Sequence, residues 1–342
     1  MLTLDEPEGV NGIVDYMSQL MPAIAAQGID VAPLVARRWG LAGLQDLRRT
    51  LRRLRPDVVH LQHPIVFPGR SYVPQILANL SPGVVTTHGG SSYGTLWGKV
   101  SLGPFMLRTR HLVFTTEFER DHALRWASWM RGRSSVIPIG SNIPARPAPT
   151  REPGLVVTFG LVRPQKGLED VIAVARLARR SGGLGLRFQV IGQAPRSDGG
   201  YAERLRASAA GLPIEWLGEL DREAAARALG RASVALLPFP DGASERRGSL
   251  LACLTAETPV ITTPGPQCPP SLAEAVRLAR PINGDLAAGL LQALSDVLSN
   301  EPEWRRLSLA GAAHARRSGW EQIARRHVAL YEKLAGRPES AR

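Results

Sequence analysis

Apolar residues recur along the chain with two spacings, and the two alternate. Short β-branched runs of strand length stand at IDVAPLV (29–35), DVVHLQ (57–62), GVVTTHG (83–89), HLVFTT (111–116) and SSVIPIG (134–140). Helix-length segments separate them. Leu41, Leu44, Leu47, Leu51 and Leu54 recur at three- and four-residue steps, which predicts one apolar helix face, and Pro56 closes that helix before the next strand. A stretch of Pro, Ala and Arg, NIPARPAPTREPG (142–154), breaks the pattern and predicts a linker. The alternation restarts with LVVTFG (155–160), LRFQVIG (186–192), IEWLG (214–218), VALLPF (234–239) and TPVITT (258–263). Strands alternating with helices predict a doubly wound parallel sheet in each half, so the fold class is α/β with two Rossmann-like domains. The expected domains are residues 1–145 and 146–320, with ligands at the carboxyl ends of the strands and a cleft where the two face each other. Only MLTL precedes the glycine turn that ends at Gly12, so the first strand is expected to be very short or incomplete.

A chain of 342 residues exceeds one ordinary core, which agrees with two domains. No apolar run approaches the roughly 20 residues of a spanning helix. The acidic start, MLTLDEPEGVNG, lacks the pattern of a secretion signal, and Cys253 and Cys268 have no metal-binding spacing, so a cytoplasmic protein is expected. The net charge of +12 calls for anionic partners. The basic residues are spread along the chain and form no recognisable nucleic-acid module, which leaves phosphate chemistry as the better use of the charge.

The strongest chemical signal is FGLVRPQKGLEDVIAVARLA (159–178). A strand turns through Gly160 and delivers Arg163 and Lys166 to a helix beginning near Gly167. Helix dipole and free backbone amides already favour an anion there, and Lys166 adds a mobile charge suited to a diphosphate. A solvated basic turn is the plainer reading. Against it, Lys99, Lys166 and Lys333 are the only lysines among 42 basic residues, and one of the three sits at this turn. A second anion site is expected at DGASERRGSLLACLTAETPVITT (241–263), where Gly248, Ser249 and Leu250 open a helix just after Arg246 and Arg247. The alternative is that Ser249 only caps the helix and the arginines face water. Gly12, at the first helix, lacks a side chain to block an anion.

His88 ends the strand GVVTTHGG and would present its imidazole to a ligand. His60 and His63, at the end of the preceding strand, are acceptor-side candidates or else strand-end histidines bonded to backbone. With no paired carboxylate at metal-ligand spacing, no metal and no cofactor are expected. Arg48, Arg49, Arg52, Arg53 and Arg55 cover the face opposite the leucine stripe, as a solvated surface or as an attraction to anionic lipid that would hold the protein at the inner face of the membrane.

In order and spacing, the glycine turn, DVVHLQ, VVTTHG, TTEFERD, VIPIGSNIP, FGLVRPQKG, LLPF and TPVITT resemble the retaining glycosyltransferases of family 4, of GT-B architecture. The closing GWEQIARRHVALYEKL (319–334) is similar to that family's C-terminal helix, so residues 321–342 are expected to cross back to the first domain. The resemblance implies transfer of a sugar from a nucleoside diphosphate donor to an acceptor hydroxyl with retention. Lys166 and Arg163 would hold the diphosphate near Gly12 and Gly160, and His88 would contact the transferred sugar. Such sites are mostly positioning and charge neutralisation. The family's arginine after the strand-end glycine is replaced by Leu161, with Arg163 two residues on. Its paired glutamates fall on Ser244 and Ala252, so ribose is expected to be held near Ser244 to Ser249, with Glu245 one position off register. Glu257 stands where the family has glycine. The alternatives are a nucleotide-sugar 2-epimerase of the same architecture and a catalytically silent subunit.

Overall fold

Each run that the β-branched pattern predicts contributes a strand to one of two parallel sheets. The computed structural model describes residues 1–4, 12–36, 41–63, 72–80, 83–88, 95–146, 150–182, 185–195 and 199–336. The chain divides into two units, Met1–Ile139 with Trp320–Arg342, and Gly140–Gly319.

Unit 1 contains β1 (Leu2–Leu4), α1 (Gly12–Ala25), β2 (Leu34–Ala36), α2 (Leu41–Leu54), β3 (His60–His63), α3 (Val73–Leu80), β4 (Val84–Thr87), α4 (Leu96–Leu102), α5 (Phe105–Arg108), β5 (His111–Phe114), α6 (Glu117–Leu124) and β6 (Ser134–Val136). Unit 2 contains β7 (Glu152–Phe159), α7 (Leu168–Arg180), β8 (Arg187–Ile191), α8 (Tyr201–Ser208), β9 (Ile214–Gly218), α9 (Arg222–Arg231), β10 (Ala232–Leu237), α10 (Gly248–Thr255), β11 (Val260–Thr262), α11 (Pro270–Ala273), β12 (Arg277–Leu278), α12 (Leu286–Leu298) and α13 (Glu301–Arg317). The last helix, α14 (Trp320–Ala335), belongs to unit 1.

Unit 1 has strand order β2-β1-β3-β4-β5-β6, and the period of two along β4 sends Val84 and Val85 to opposite faces. On one face Tyr16, Leu20 and Ile24 of α1 meet Ile323 and Val328 of α14 over Val84 and Val113. On the other, Leu44, Leu47 and Leu51 of α2 pack with Leu77 and Phe105 on Leu61 and Val85. The predicted leucine stripe therefore reaches the core through its middle, while Leu54 is exposed at the helix end.

Unit 2 has strand order β12-β11-β10-β7-β8-β9, the order of a Rossmann sheet, with its reversal between β7 and β10. Helices α9 and α10 cover one face and α7 and α12 the other. Two elements differ from the sequence pattern. β7 begins at Glu152, inside the stretch expected to be linker, and the two-residue β12 is too short to leave a pattern.

Arg151 explains the early start of β7. Its guanidinium donates to the carbonyls of Gly230 and Ala232, both at 2.9 Å, to Thr258 Oγ1 at 3.1 Å, to Ala256 O at 3.2 Å and to Glu257 O at 2.8 Å. It also lies over the Trp304 ring, 5.0 Å from the centroid. One side chain thus ties the start of β7 to the end of α9 and to the turn between α10 and β11. That turn carries Glu257 at φ 58, a left-handed position better suited to glycine. Replacing Arg151 by methionine, which keeps the apolar stem, should lower unfolding stability by about 3 kcal/mol, since several carbonyls lose a charged donor at once. Chemical denaturation checks this, and a loss below about 1 kcal/mol would remove Arg151 as the fastener of this corner.

Candidate functional site

The topological switch of unit 2 lies between β7 and β10, and both strands end in loops that carry cations. Beyond β7, Gly160 has φ 135, and a Cβ built there would stand 3.4 Å from Ser249 Cβ, 3.6 Å from Ser249 Oγ and 3.9 Å from Lys166 Nζ. Gly160, Lys166 and Ser249 therefore meet at one point. Lys166 is turned back to it by left-handed residues on either side, Gln165 at φ 72 and Gly167 at φ 69. Gly167 is fixed by more than its dihedral, because a Cβ there would lie 1.9 Å from the Pro238 carbonyl beyond β10.

Phe239, buried after β10, forms the floor of this corner. Lys166 Nζ lies 5.5 Å from its ring centroid and the Arg247 guanidinium 4.3 Å from it, both in cation–π range. Arg247 is hydrogen-bonded to Asp241. Lys166 forms no hydrogen bond or ion pair with any described residue. Burial, then the neighbouring Arg247 and Arg163, push its pKa down from 10.5 to about 8, against the opposing pull of Asp241. Arg163 is itself exposed at the rim.

Helix α10 opens at the same place. Arg247 is its N-cap without a side-chain capping bond, and the first bond of the helix runs from Leu251 N–H to Arg247 O at 3.0 Å. The amides of Gly248, Ser249 and Leu250 precede that bond and point outward from the helix start. Ser249 is no cap. Its Oγ is buried and has no hydrogen-bond partner among the described residues, an arrangement that calls for a ligand or water. Leu250 is fully buried in the unit 2 core, so its side chain is structural and only its amide faces this corner.

Glu245 follows Ser244 in the loop that leads to α10. Its carboxylate pairs with His314 Nε2 at 3.5 Å, and the acid that bears on Lys166 is Asp241. Ser244 is buried and Ala252 packs in the core. Phe239 and Asp241 lie at the edges of the quoted segments VALLPF and DGASERRG but are not marked there as site residues; the proline and glycine around them, in LLPFPDG, are the available signal.

In unit 1, Gly12 opens α1, and the turn before it lies outside the described residues, as do Gly89 and Gly90. His88 follows β4 and is half-buried, with its ring edge-on to Tyr16 at 5.1 Å. Its Nε2–H donates to Gln62 Oε1 at 2.8 Å. His63 ends β3 but is buried against the Phe105 ring at 4.7 Å, and burial followed by His88 lowers its pKa to about 3. His60 corrects the expectation most clearly: it begins β3, at the opposite end from the ligand side of a parallel sheet. Both its ring nitrogens are engaged by side chains, Nδ1 with the Tyr331 hydroxyl at 2.5 Å and Nε2 with Thr86 Oγ1 at 2.7 Å. Among the described residues no three metal-ligating side chains come together.

Comparison with known proteins adds the following. Residues 29–143 match the family model Glycosyltransferase Family 4. No curated protein matches the sequence. Among solved structures, the Anabaena protein Alr3699/HepE in complex with UDP and glucose superposes with a TM-score of 0.70 at 12% identity, covering 96% of this chain and 98% of that one. A glycosyltransferase from Rickettsia africae has a TM-score of 0.69 at 11% identity, covering 97% of each chain. WaaG, a glycosyltransferase of lipopolysaccharide biosynthesis, has a TM-score of 0.61 at 15% identity, covering 98% of this chain and 100% of that one. With a Glycosyltransferase Family 4 match over residues 29–143 inside a GT-B fold, the chain is a glycosyltransferase.

Proposed function

We propose that the chain takes its sugar from a nucleoside diphosphate donor and holds the diphosphate where Lys166, Ser249 and the first turn of α10 meet. The carrying observation is a half-buried ammonium that forms no hydrogen bond or ion pair with any described residue, beside a buried hydroxyl with no hydrogen-bond partner among the described residues. An anion with several acceptor oxygens satisfies both, and the α10 amides can share it. The neighbour HepE was solved with UDP-glucose, which favours a UDP-sugar as donor. Cationic neutralisation of the departing diphosphate would do the work a metal does elsewhere, and the leaving phosphate would take the acceptor's proton as the sugar is transferred with retention. Ribose would be held by backbone and hydroxyl groups from Ser244 to Ser249. The family resemblance gives His88 the contact with the transferred sugar. An epimerase is less well supported, because the acid bearing on Lys166 is committed to Arg247.

The acceptor is proposed to be lipid-linked and reached from the cytoplasmic face of a membrane. Arg48, Arg49, Arg52 and Arg53 are exposed on α2. Tyr72, just before α3, and Ile76 and Leu80 on it are exposed at four-residue steps, as are Trp97 and Leu107 on α4 and α5, apolar side chains suited to the lipid interface. Among the described residues no helix is long and apolar enough to cross a membrane.

Calorimetric titration of UDP tests the donor site. Lys166→Ala should weaken affinity by about 1.5 to 3 kcal/mol, roughly ten- to a hundredfold, with melting preserved. Equal affinities in two folded proteins would remove the lysine from the site. Proton linkage supplies an independent readout. Between about pH 8 and 10.5 the unfolded chain holds a proton that folded Lys166 does not, so stability from this group rises with pH across that window. A bound diphosphate restores the charge, so binding above pH 8 should take up a proton and UDP affinity should fall as pH rises through about 8. Lys166→Ala should abolish that uptake.

Cosedimentation with phosphatidylglycerol vesicles tests the membrane reading. Binding should be salt-sensitive and should lose about 1 kcal/mol for each of Arg48, Arg49, Arg52 and Arg53 replaced by glutamine. No binding to such vesicles at low salt would end this reading without touching the donor site.

A further inference from the structure

A diphosphate carries charge on both of its phosphoryl groups, and Lys166 supplies one ammonium. The same corner holds a second cation. The Arg247 side chain is only 11% exposed, and its guanidinium lies 4.3 Å from the centroid of the Phe239 ring, which is 5.5 Å from Lys166 Nζ as well. Of the charged neighbours that lower the pKa of Lys166, Arg247 acts most strongly, ahead of Arg163. Arg163 is exposed at the rim, whereas the buried Nε of Arg247 has no hydrogen-bond partner among the described residues.

One carboxylate bears on both cations. Asp241 is hydrogen-bonded to Arg247 and is the acid that raises the pKa of Lys166. Exposure divides the pair unequally, because the Asp241 side chain is 62% exposed. The guanidinium is thus held by the protein, while the carboxylate can turn to water by side-chain rotation. The backbone of this loop is pinned: a Cβ at Gly265 would stand 2.4 Å from Asp241 O, and Ala243 N–H donates to Thr263 O at 2.9 Å. An ion pair with one partner so exposed contributes little to stability, whereas a phosphoryl group offers an arginine two charged acceptors at once.

We propose that Arg247 is the second cation of the donor diphosphate site, and that Asp241 is a tethered competitor for it, an anion built into the chain that the diphosphate displaces. The phosphoryl groups then share Lys166, Ser249 and the edge of the guanidinium, and the Asp241 carboxylate turns to solvent. The competition holds donor affinity below what the two cations would give alone, which eases release of the nucleoside diphosphate after transfer. This inference rests on the donor site proposed above.

The test is calorimetric titration of UDP into the full chain at about pH 6.5, below the pKa of Lys166 near 8, so that the ammonium is charged throughout. Arg247→Met keeps an apolar stem on Phe239 and removes no capping bond from α10. It should weaken UDP binding roughly ten- to a hundredfold with melting preserved. Arg247→Lys, which keeps the charge without the fork, should lose part of that affinity and is the deciding variant if the methionine protein does not fold. Arg163→Gln should cost less than Arg247→Met. Asp241→Asn and Asp241→Ala should bind UDP about three- to tenfold more tightly than the wild type, a gain that a merely structural ion pair would not give. Wild-type affinity in a folded Arg247 variant, a larger loss in Arg163→Gln than in Arg247→Met, or unchanged or weaker binding in the Asp241 variants would overturn the proposal. Lys166→Ala separates the two readings. If it weakens UDP binding and Arg247→Met does not, only this inference fails; if it binds as the wild type does, the donor site fails and this inference with it.

Discussion

Unit 2 is organised around a half-buried ammonium that pairs with no carboxylate among the described residues. Burying a cation disfavours its charged form, and Arg247 and Arg163 beside Lys166 push in the same direction. The acid that opposes them, Asp241, is hydrogen-bonded to Arg247. Such an arrangement costs stability in the free protein and is resolved when an anion arrives. The unpartnered hydroxyl of Ser249 sits at the same point and has the same remedy. Cost and remedy meeting in one place is what separates this corner from an ordinary basic surface loop.

Close backbone packing makes the corner possible. The Rossmann order puts β7 beside β10, so the loops leaving their carboxyl ends converge. A Cβ at Gly192 would stand 1.9 Å from the Gly160 carbonyl, and one at Gly167 would stand equally near Pro238 O. These contacts draw the loop bearing Lys166 against the ring of Phe239 and the start of α10. Away from the site, Arg151 fastens the opposite ends of the same elements.

Much of this was legible in the sequence. The β-branched runs located ten strands, and the turn from Gly160 to Gly167 stood out because a chain so rich in arginine uses lysine so rarely. What pattern reading missed depends on tertiary contact. β7 starts at Glu152 because Arg187 and Arg231 bind its carboxylate and the preceding residue, Arg151, is anchored by its own guanidinium, none of which is visible in a proline-rich stretch. His60 was read at a strand end, but its ladder begins there, paired with Val84. Glu245 was one residue from a family position, yet His314, 69 residues further along, holds its carboxylate. Phe239 and Asp241 gained their place only when the ends of β7 and β10 came together.

Unit 1 solves a different problem. It buries His60, Gln62, Thr86, His327 and Tyr16 between sheet and helices, with Tyr331 half-buried beside them, where each polar group needs a partner. The partners come from β3, β4, α1 and α14, so the last helix of the chain completes the hydrogen bonding of the first sheet. The central claim concerns unit 2, and the most direct test is a crystal structure of the protein with UDP bound. The account predicts diphosphate oxygens within hydrogen-bonding distance of Lys166 Nζ, Ser249 Oγ and the first amides of α10. A well-ordered UDP whose phosphates lie away from Lys166 and the start of α10 would contradict it.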